Sequence, residues 1–550
     1  MLRTLATAVT SFVVAYALAF AVSSGIARAD ETSATDKMRI LYSTRFTFTD
    51  AGLPLVTVEV MSGRKDVHLH AKGGVLVRPD GEGGSTVAAT SGDEWSITVE
   101  GAKPARIQDW TVVETLGPED AAGVTAALAR WKERGFEPRT FDIGTVFGVD
   151  GEVIDTRETR VAIDPVAAGK GAARAAEHAK RFGIATAVHQ ELVRRPAGTI
   201  VATAGGTTIR NPSVLWFVPS SAKETIGVDD VPTSTGGSQL ATGKENRRYW
   251  GAIYVTLDRD GQLLVANAVA EDKLLEGLVP AEMYPDSPAT ALEAQAIAAR
   301  TELLQKIGHR NLTDPFLLCS SQQCQVYAGA GKEDPRTTRA VEATRGQVLL
   351  RDGGGLVDIR YSASCGGHSE DNEAIWGGDP DPTLRGRSDT PSGSRTRLTD
   401  ATVGAFLDGG GDAWCAKPAL GKKSFRWTET IATADLSTRV AVEYPELGRV
   451  KALVPKQRGA SGRIGTLTIQ GEKGTADVTG DLHIRRLLGG LKSTLFEVTH
   501  TGDAFVFHGA GFGHGVGMCQ MGAIGMASAG KSRADILGHY YPATHVHRLY

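Results

Sequence analysis

Residues 279–301, VPAEMYPDSPATALEAQAIAART, constrain the fold more than any other stretch, because they specify a helix with a carboxylate at its mouth. Pro285 and Pro288 restrict the approach, Thr290 can cap the first turn, and Ala291 to Arg300 is a run of strong helix formers. Leu292, Ala296 and Ala299 recur at helical spacing. Glu282 is the carboxylate. Spacing alone gives it no special status, since a glutamate at a helix entry is usually a cap or a solvated charge.

The N-terminus carries Arg3, an apolar run from Leu5 to Val22, and Ala27-Arg28-Ala29 ahead of Asp30 and Glu31. This order of basic, apolar and small-x-small segments predicts a cleaved secretory signal peptide over residues 1–29. A retained membrane anchor is the alternative, since the run is nearly long enough to span a bilayer, but the cleavage motif favours removal. The mature protein is therefore expected to be exported, to the periplasm or cell wall, with no integral membrane span. The 550 residues suffice for two to four domains, and a net charge of −3 argues against a nucleic-acid partner.

Residues 30–105 read as a small β module, with strands at Met38 to Tyr42, Leu55 to Met61, Val67 to His70, Gly74 to Val77 and Trp95 to Val99 separated by Gly/Asp turns. From Arg106 the texture changes. Strands at Asp109 to Glu114, Glu137 to Phe141, Thr159 to Ile163 and Ala185 to Leu192 alternate with helices at Pro118 to Arg134 and Ala167 to Phe182, and Gly135 and Gly183 end the helices. The order β-α-β-β-α-β over 106–195 is a split βαβ, ferredoxin-like arrangement. Residues 196–245 are rich in Gly, Ser, Thr and Pro and read as a linker. A hairpin, Tyr249 to Leu257 and Leu263 to Val269, then opens a β-rich domain over 246–550. The fold class expected is multidomain α+β.

Two further patches carry candidate chemistry. Asp358-Ile-Arg-Tyr-Ser-Ala-Ser-Cys-Gly-Gly-His-Ser-Glu370 reads as a strand running into a Gly-Gly turn. Tyr361, Ser362 and Ser364 lie along it, and Gly366 and Gly367 would let a sugar approach backbone donors closely. A nucleophilic role for Ser364 or Cys365 is set aside for want of an ordered base. Phe507-His-Gly-Ala-Gly-Phe-Gly-His-Gly-Val-Gly-Met-Cys-Gln-Met-Gly-Ala523 is glycine-rich but lacks the GxxxxGK[ST] pattern of a phosphate loop. There His514, flanked by glycines, and Gln520 are candidate hydrogen-bonding groups.

Together these stretches resemble the SpoIID/LytB family. Its helix motif begins Glu-Met-Pro and continues Glu-Ala-Leu-Lys-Ala-Gln-Ala-Val-Ala-Ala-Arg-Thr. Here Glu282, Met283, Pro288, Ala291, Leu292, Ala294, Gln295, Ala296 and Ala298 to Thr301 match without a gap, while Tyr284 replaces a proline and Thr290 a glutamate. The second patch resembles the family's Ser-x-Cys-Gly-Gly-x-Thr-Glu, with Ser369 for threonine. The third resembles Gly-x-Gly-His-Gly-Val-Gly-x-Ser-Gln-x-Gly-Ala, with Cys519 for serine. The resemblance covers roughly residues 245–550, and residues 106–195 resemble a SPOR domain, a module that binds glycan strands lacking stem peptides.

The resemblance implies a peptidoglycan lytic transglycosylase acting on denuded glycan strands, with Glu282 as the single general acid/base. Apolar neighbours Met283, Tyr284 and Pro285 would shield it, which suits a carboxyl group that must donate a proton. Arg300, 18 residues on, could bind a muramic lactyl carboxylate, hold Glu282, or simply favour the helix end. The LytB branch is described as enhancing a cell-wall amidase, so the alternative is a non-catalytic glycan binder that recruits or stimulates an N-acetylmuramoyl-L-alanine amidase.

Five cysteines lie in the last half of the chain. Cys365 and Cys415 are the expected long-range disulfide, and Cys519 the free thiol. Cys319 and Cys324 could form a short-loop disulfide or, with His309, part of a zinc site, but three candidates fall short of a four-ligand set. No metal and no cofactor are expected.

Overall fold

Alternation builds the first architecture. In the strand Pro54–Arg64, Val56, Val58 and Val60 share one face and are buried, as a two-residue side-chain period requires. This strand pairs antiparallel with Leu263–Ala270, which pairs with Ala252–Leu257, and the sheet continues through Leu215–Pro219 to Val75–Arg78. A second sheet runs Thr207–Asn211, Ala197–Ala204, Glu94–Lys103, Asp66–Ala71, Ile226–Thr233 and Gly243–Tyr249. Both sheets feed one apolar core that includes Val58, Trp95, Ile97, Ile200, Phe217, Val228 and Val255. The computed structural model describes residues 41–43, 47–49, 51–71, 73–79, 87–89, 94–149, 152–233, 243–320 and 327–550. The expected signal segment and most of the Met38 to Tyr42 strand lie outside these residues.

This interleaving corrects the division expected from composition. Residues 197–233 are not a linker: they supply strands to both sheets, and Ile200, Leu215, Phe217 and Val228 are fully buried. Nor do residues 30–105 form a module apart from the hairpin at 252–270, because Pro54–Arg64 and Leu263–Ala270 are neighbours in one sheet. Turn residues between short strands resemble a linker in composition; only the long-range pairing tells them apart.

Residues 106–194 do fold as β-α-β-β-α-β. The antiparallel sheet has the order Ala187–Arg194, Arg106–Leu116, Glu158–Ala167, Arg139–Ile143, with helices Ala121–Glu133 and Gly171–Phe182. Gly183 closes the second helix in the left-handed conformation, φ 66°, and its N–H donates to Ala179 O. Trp131, Val113, Val161 and Ile163 form its own core. The unit is inserted between two adjacent antiparallel strands, since Lys103, where the chain leaves, opposes Ala197, where it returns. A hairpin within it, Val146–Val149 with Glu152–Asp155, places Phe147 and Ile154 in the large two-sheet core beside Leu303, Leu304 and Ile307.

After the hairpin come the helices Glu271–Glu282 and Ala289–Lys306. The second is buried on nearly every side, the signature of a central helix, with the apolar Ala291, Leu292, Ala294, Ala296 and Ile297 and the polar Gln295, Arg300 and Glu302 all inside. Its N-cap is Pro288 in extended conformation with no side-chain cap, so Thr290 does not take that role. A further β lobe, absent from the sequence reading, joins the sheet Arg426–Ala432, Ala504–Ala510, Phe496–Thr501 to the meander Val450–Arg458, Ile464–Gly471, Thr475–Thr479 around its own core.

Candidate functional site

Glu282 is the last residue of the helix Glu271–Glu282, not the first of the next. Pro280 lies inside that helix and Met283 leaves it in extended conformation. The carboxylate is half-buried and stands at the negative end of the helix macrodipole. Of its expected apolar shields, Met283 is buried in the core below, whereas Tyr284 is exposed. Tyr361 hydrogen-bonds Glu302, and its hydroxyl lies in the electrostatic field of both Glu302 and Glu282. Burial first, and then these two acids, push the Tyr361 phenol well above its ordinary value.

The three patches meet here. Strand Tyr361–Ser362 pairs in parallel with Met518–Cys519, and Ser364 and Phe512 exchange backbone hydrogen bonds of 3.1 and 2.8 Å. Gln520, buried at the start of the helix Gln520–Ser528, donates from Nε2 to the backbone carbonyl of Glu282 at 2.8 Å and to Gln295 Oε1 at 3.3 Å. The carbonyls at a helix C-terminus have no intrahelical partner. Gln520 satisfies one of them from 238 residues away. Its donor therefore holds the acid's backbone instead of a sugar.

His514 sits half-buried in the glycine-rich loop, its ring centroid 5.0 Å from that of Trp376. Desolvation by the loop outweighs the attraction of Asp481 and, with the charges of Arg463, Arg360 and Arg485, lowers the imidazole to about 4. The ring is thus neutral at neutral pH. Nδ1 accepts the Val516 N–H at 3.1 Å, so the ring proton belongs on Nε2, which is the donor.

The second patch is more architectural than expected. Ser364 is fully buried and its Oγ accepts the Gly366 N–H at 3.3 Å. Gly366, at φ 75°, would place a Cβ 2.6 Å from Gly511 N, and a Cβ on Gly367 would lie 3.1 Å from Phe406 Cζ. These glycines admit neighbouring protein, not a sugar. Ser362 is 8% exposed and its Oγ has no hydrogen-bond partner in the structure. Glu370 is fully buried and accepts from Ala460 N, Ser461 N and Ser461 Oγ, pinning the β lobe to this patch.

Arg300 neither holds Glu282 nor faces a ligand. It is 0% exposed; Nε donates to Glu271 Oε1 at 2.5 Å and Nη1 to the carbonyls of Thr344 and Gln347. It lies about three turns into the helix Ala289–Lys306, which carries it into the core. Sequence reasoning also missed groups at the rim. Trp376 and Phe512 are large aromatics left 52% and 45% exposed, and Arg360 stacks on Trp376 at 5.2 Å. An exposed Trp ahead of a Gly-Gly turn is the signal that could have marked Trp376.

The cysteines depart from the expected pairing. Cys365, Cys415 and Cys519 are all free and buried. The Cys365 and Cys415 sulfurs are 3.7 Å apart, too far for a bond. Cys519 Sγ accepts N–H groups from Cys365 at 3.1 Å and Gly522 at 3.3 Å. Cys319 is disulfide-bonded, which removes it as a zinc ligand; position 324 lies outside the described residues.

Residues 259–350 match the family model described as "Stage II sporulation protein", and residues 370–517 match a "Domain of unknown function (DUF8618)". The chain is 25% identical to the stage II sporulation protein D of Bacillus subtilis over 344 residues, 60% of this chain and 86% of that protein. It is 30% identical to the amidase enhancer of the same organism over 305 residues, 49% of this chain and 40% of that protein. An uncharacterized protein of Brachyspira hyodysenteriae is 27% identical over 53% of this chain and 70% of its own length. Among the described residues no helix is long and apolar enough to cross a membrane. The motif helix, the Gln520 contact that joins it to the glycine-rich loop, and these relatives agree: residues 259–350 carry a stage II sporulation protein domain, and the chain around it is similar to stage II sporulation protein D and to the amidase enhancer.

Proposed function

We propose that this chain is an exported peptidoglycan lytic transglycosylase that cleaves denuded glycan strands with Glu282 as its single general acid/base. The observation that carries the reading is the meeting of three sequence-distant patches at one half-buried carboxylate: Gln520 donates to its backbone carbonyl, and the strand Tyr361–Ser362 pairs with Met518–Cys519, next to Gln520. A helix C-terminus is a poor place for a fixed anion and a suitable one for a carboxyl that arrives protonated. Glu282 gives its proton to the glycosidic oxygen as that bond breaks. It then accepts the proton of the muramic 6-hydroxyl, whose oxygen closes onto the anomeric carbon to give an anhydro end; no water is consumed. The neutral His514 Nε2–H supplies a hydrogen bond to substrate, and the exposed Trp376 and Tyr284 offer faces on which sugars can lie. The unit at 106–194 would hold the same strand, as its resemblance to a SPOR module suggests.

The relative named an amidase enhancer favours a second reading, a glycan binder that stimulates an N-acetylmuramoyl-L-alanine amidase. One experiment separates the two. Purified chain and its Glu282→Gln variant are incubated with denuded and intact peptidoglycan, with and without an N-acetylmuramoyl-L-alanine amidase, and product ends are identified by mass spectrometry. Anhydro ends from denuded strands with the native chain alone support the lyase. Absence of cleavage by both proteins, with amidase release accelerated equally by both, would replace it with the binder.

A further inference from the structure

We propose that Cys365, Cys415, Cys519 and Asp389 form a structural zinc site, distinct from the Cys319 region. Four donor atoms, three sulfurs and one carboxylate oxygen, all lie within 4.8 Å of one another. Two thiolates about 2.3 Å from one tetrahedral ion stand roughly 3.8 Å apart. The Cys365 and Cys415 sulfurs are separated by 3.7 Å, the edge of such a tetrahedron. Each ligand comes from a different part of the chain: the end of the second patch, the short turn Trp414–Ala416, the N-cap of the helix Gln520–Ser528, and the loop at 389.

The surroundings are those of ligands held in place. Metal-bound sulfur and carboxylate are normally oriented by outer hydrogen-bond donors. Here Cys519 Sγ accepts from the Cys365 and Gly522 N–H groups, and Asp389 accepts the Tyr540 hydroxyl at 2.7 Å on Oδ1 and the Cys415 N–H at 2.9 Å on Oδ2. Asp389 is 0% exposed, and the ion-pair contact it makes is with His539 at 3.6 Å. A carboxylate so deeply buried needs a compensating charge, which a divalent cation would provide. Three soft sulfurs and one oxygen in a tetrahedral set select zinc over calcium or magnesium. The cluster is sealed, with the three cysteines 1% exposed or less, so it has no open position for substrate and its role is to hold structure. The ion would tie the second and third patches into one body, the same two patches that pair through Tyr361–Ser362 and Met518–Cys519 and whose Gln520 donates to the Glu282 carbonyl.

The test uses the full chain, dialysed against metal-free buffer. We expect about one equivalent of zinc per chain, and, after exchange with cobalt, thiolate charge-transfer and intense tetrahedral d–d bands. Cys415→Ser should abolish both, Cys319→Ser should leave both intact, and Tyr540→Phe, which keeps the ligands but loses a hydrogen bond to Asp389, should weaken zinc binding about 10- to 100-fold. Tyr540→Phe covers the case in which Cys415→Ser fails to fold. A Cys365–Cys415 disulfide in the isolated protein would overturn the proposal. So would zinc that survives Cys415→Ser and Tyr540→Phe unchanged, zinc lost with Cys319→Ser instead, or a cobalt-treated chain without those bands.

Discussion

Glu282 and Arg300 stand at the two ends of one motif, yet their surroundings are opposite. At one end a carboxylate is half-open at a helix terminus, its backbone held from a distant patch. At the other a guanidinium is wholly buried, its fork divided between Glu271 and two carbonyls. A dense motif thus mixes a residue held near the surface with residues that build the platform beneath it. Burial separates them; spacing does not.

The largest test of this contrast lies at the buried end. Arg300→Ala leaves Glu271 as an uncompensated buried charge and should destabilise the fold by about 3–5 kcal/mol in chemical denaturation. The fraction that folds should cleave at the native kcat; a stable Arg300→Ala with impaired cleavage would move Arg300 to the chemistry side. Glu282→Gln should do the reverse, losing about 10²-fold or more in glycan cleavage while stability stays within about 0.5 kcal/mol. Wild-type turnover by that variant would take the reaction away from this residue. Gln520→Ala falls between: it uncaps the helix end at a cost of about 1 kcal/mol, and its kcat should fall less than that of Glu282→Gln. Equal kcat losses would make Gln520 part of the reacting set.

The smallest expected effect is in pH dependence. His514 and, in the inserted unit, the buried His189 are both lowered from 6.5 to about 4, His189 by desolvation first and then by Arg160 and Arg139. Between those values the unfolded chain binds protons that the folded chain refuses, so stability falls as pH drops from 6.5 toward 4. Above 6.5 the contribution is complete, and below 4 it is gone. Urea midpoints across this range should show a shallower acid limb in His514→Gln and in His189→Gln, the larger change in the more deeply buried His189. An unchanged limb in both would mean that the folded rings take up their protons at the ordinary value, with no depression by burial.

Local chemistry made parts of this molecule legible. The β-α-β-β-α-β unit could be read because its helices and strands alternate contiguously and a glycine in the left-handed conformation closes the second helix. The helix Ala289–Lys306 could be read from its helix formers, although its true cap, Pro288, and the position of Glu282 at the end of the preceding helix could not. Residues 197–233 were opaque because their strands are short and find partners far along the chain. The same holds for Arg300, for Gly366, whose neighbour is Gly511, and for the three thiols and Asp389, whose proximity depends on four separate segments. Composition reports what a segment is made of, and these residues are defined by what folds over them.

The insertion at 106–194 has a mechanical consequence. Its two connections leave from Lys103 and Arg106 and return at Arg194 and Ala197, side by side on neighbouring strands, which alone would allow a hinge about one line. The hairpin carrying Phe147 and Ile154 into the other core, with Gly144 N–H donating to Gly308 O at 2.8 Å, adds an attachment off that line. Three points fix a plane. The unit is therefore braced against the two-sheet core away from its own connections, unlike a bead on a tether.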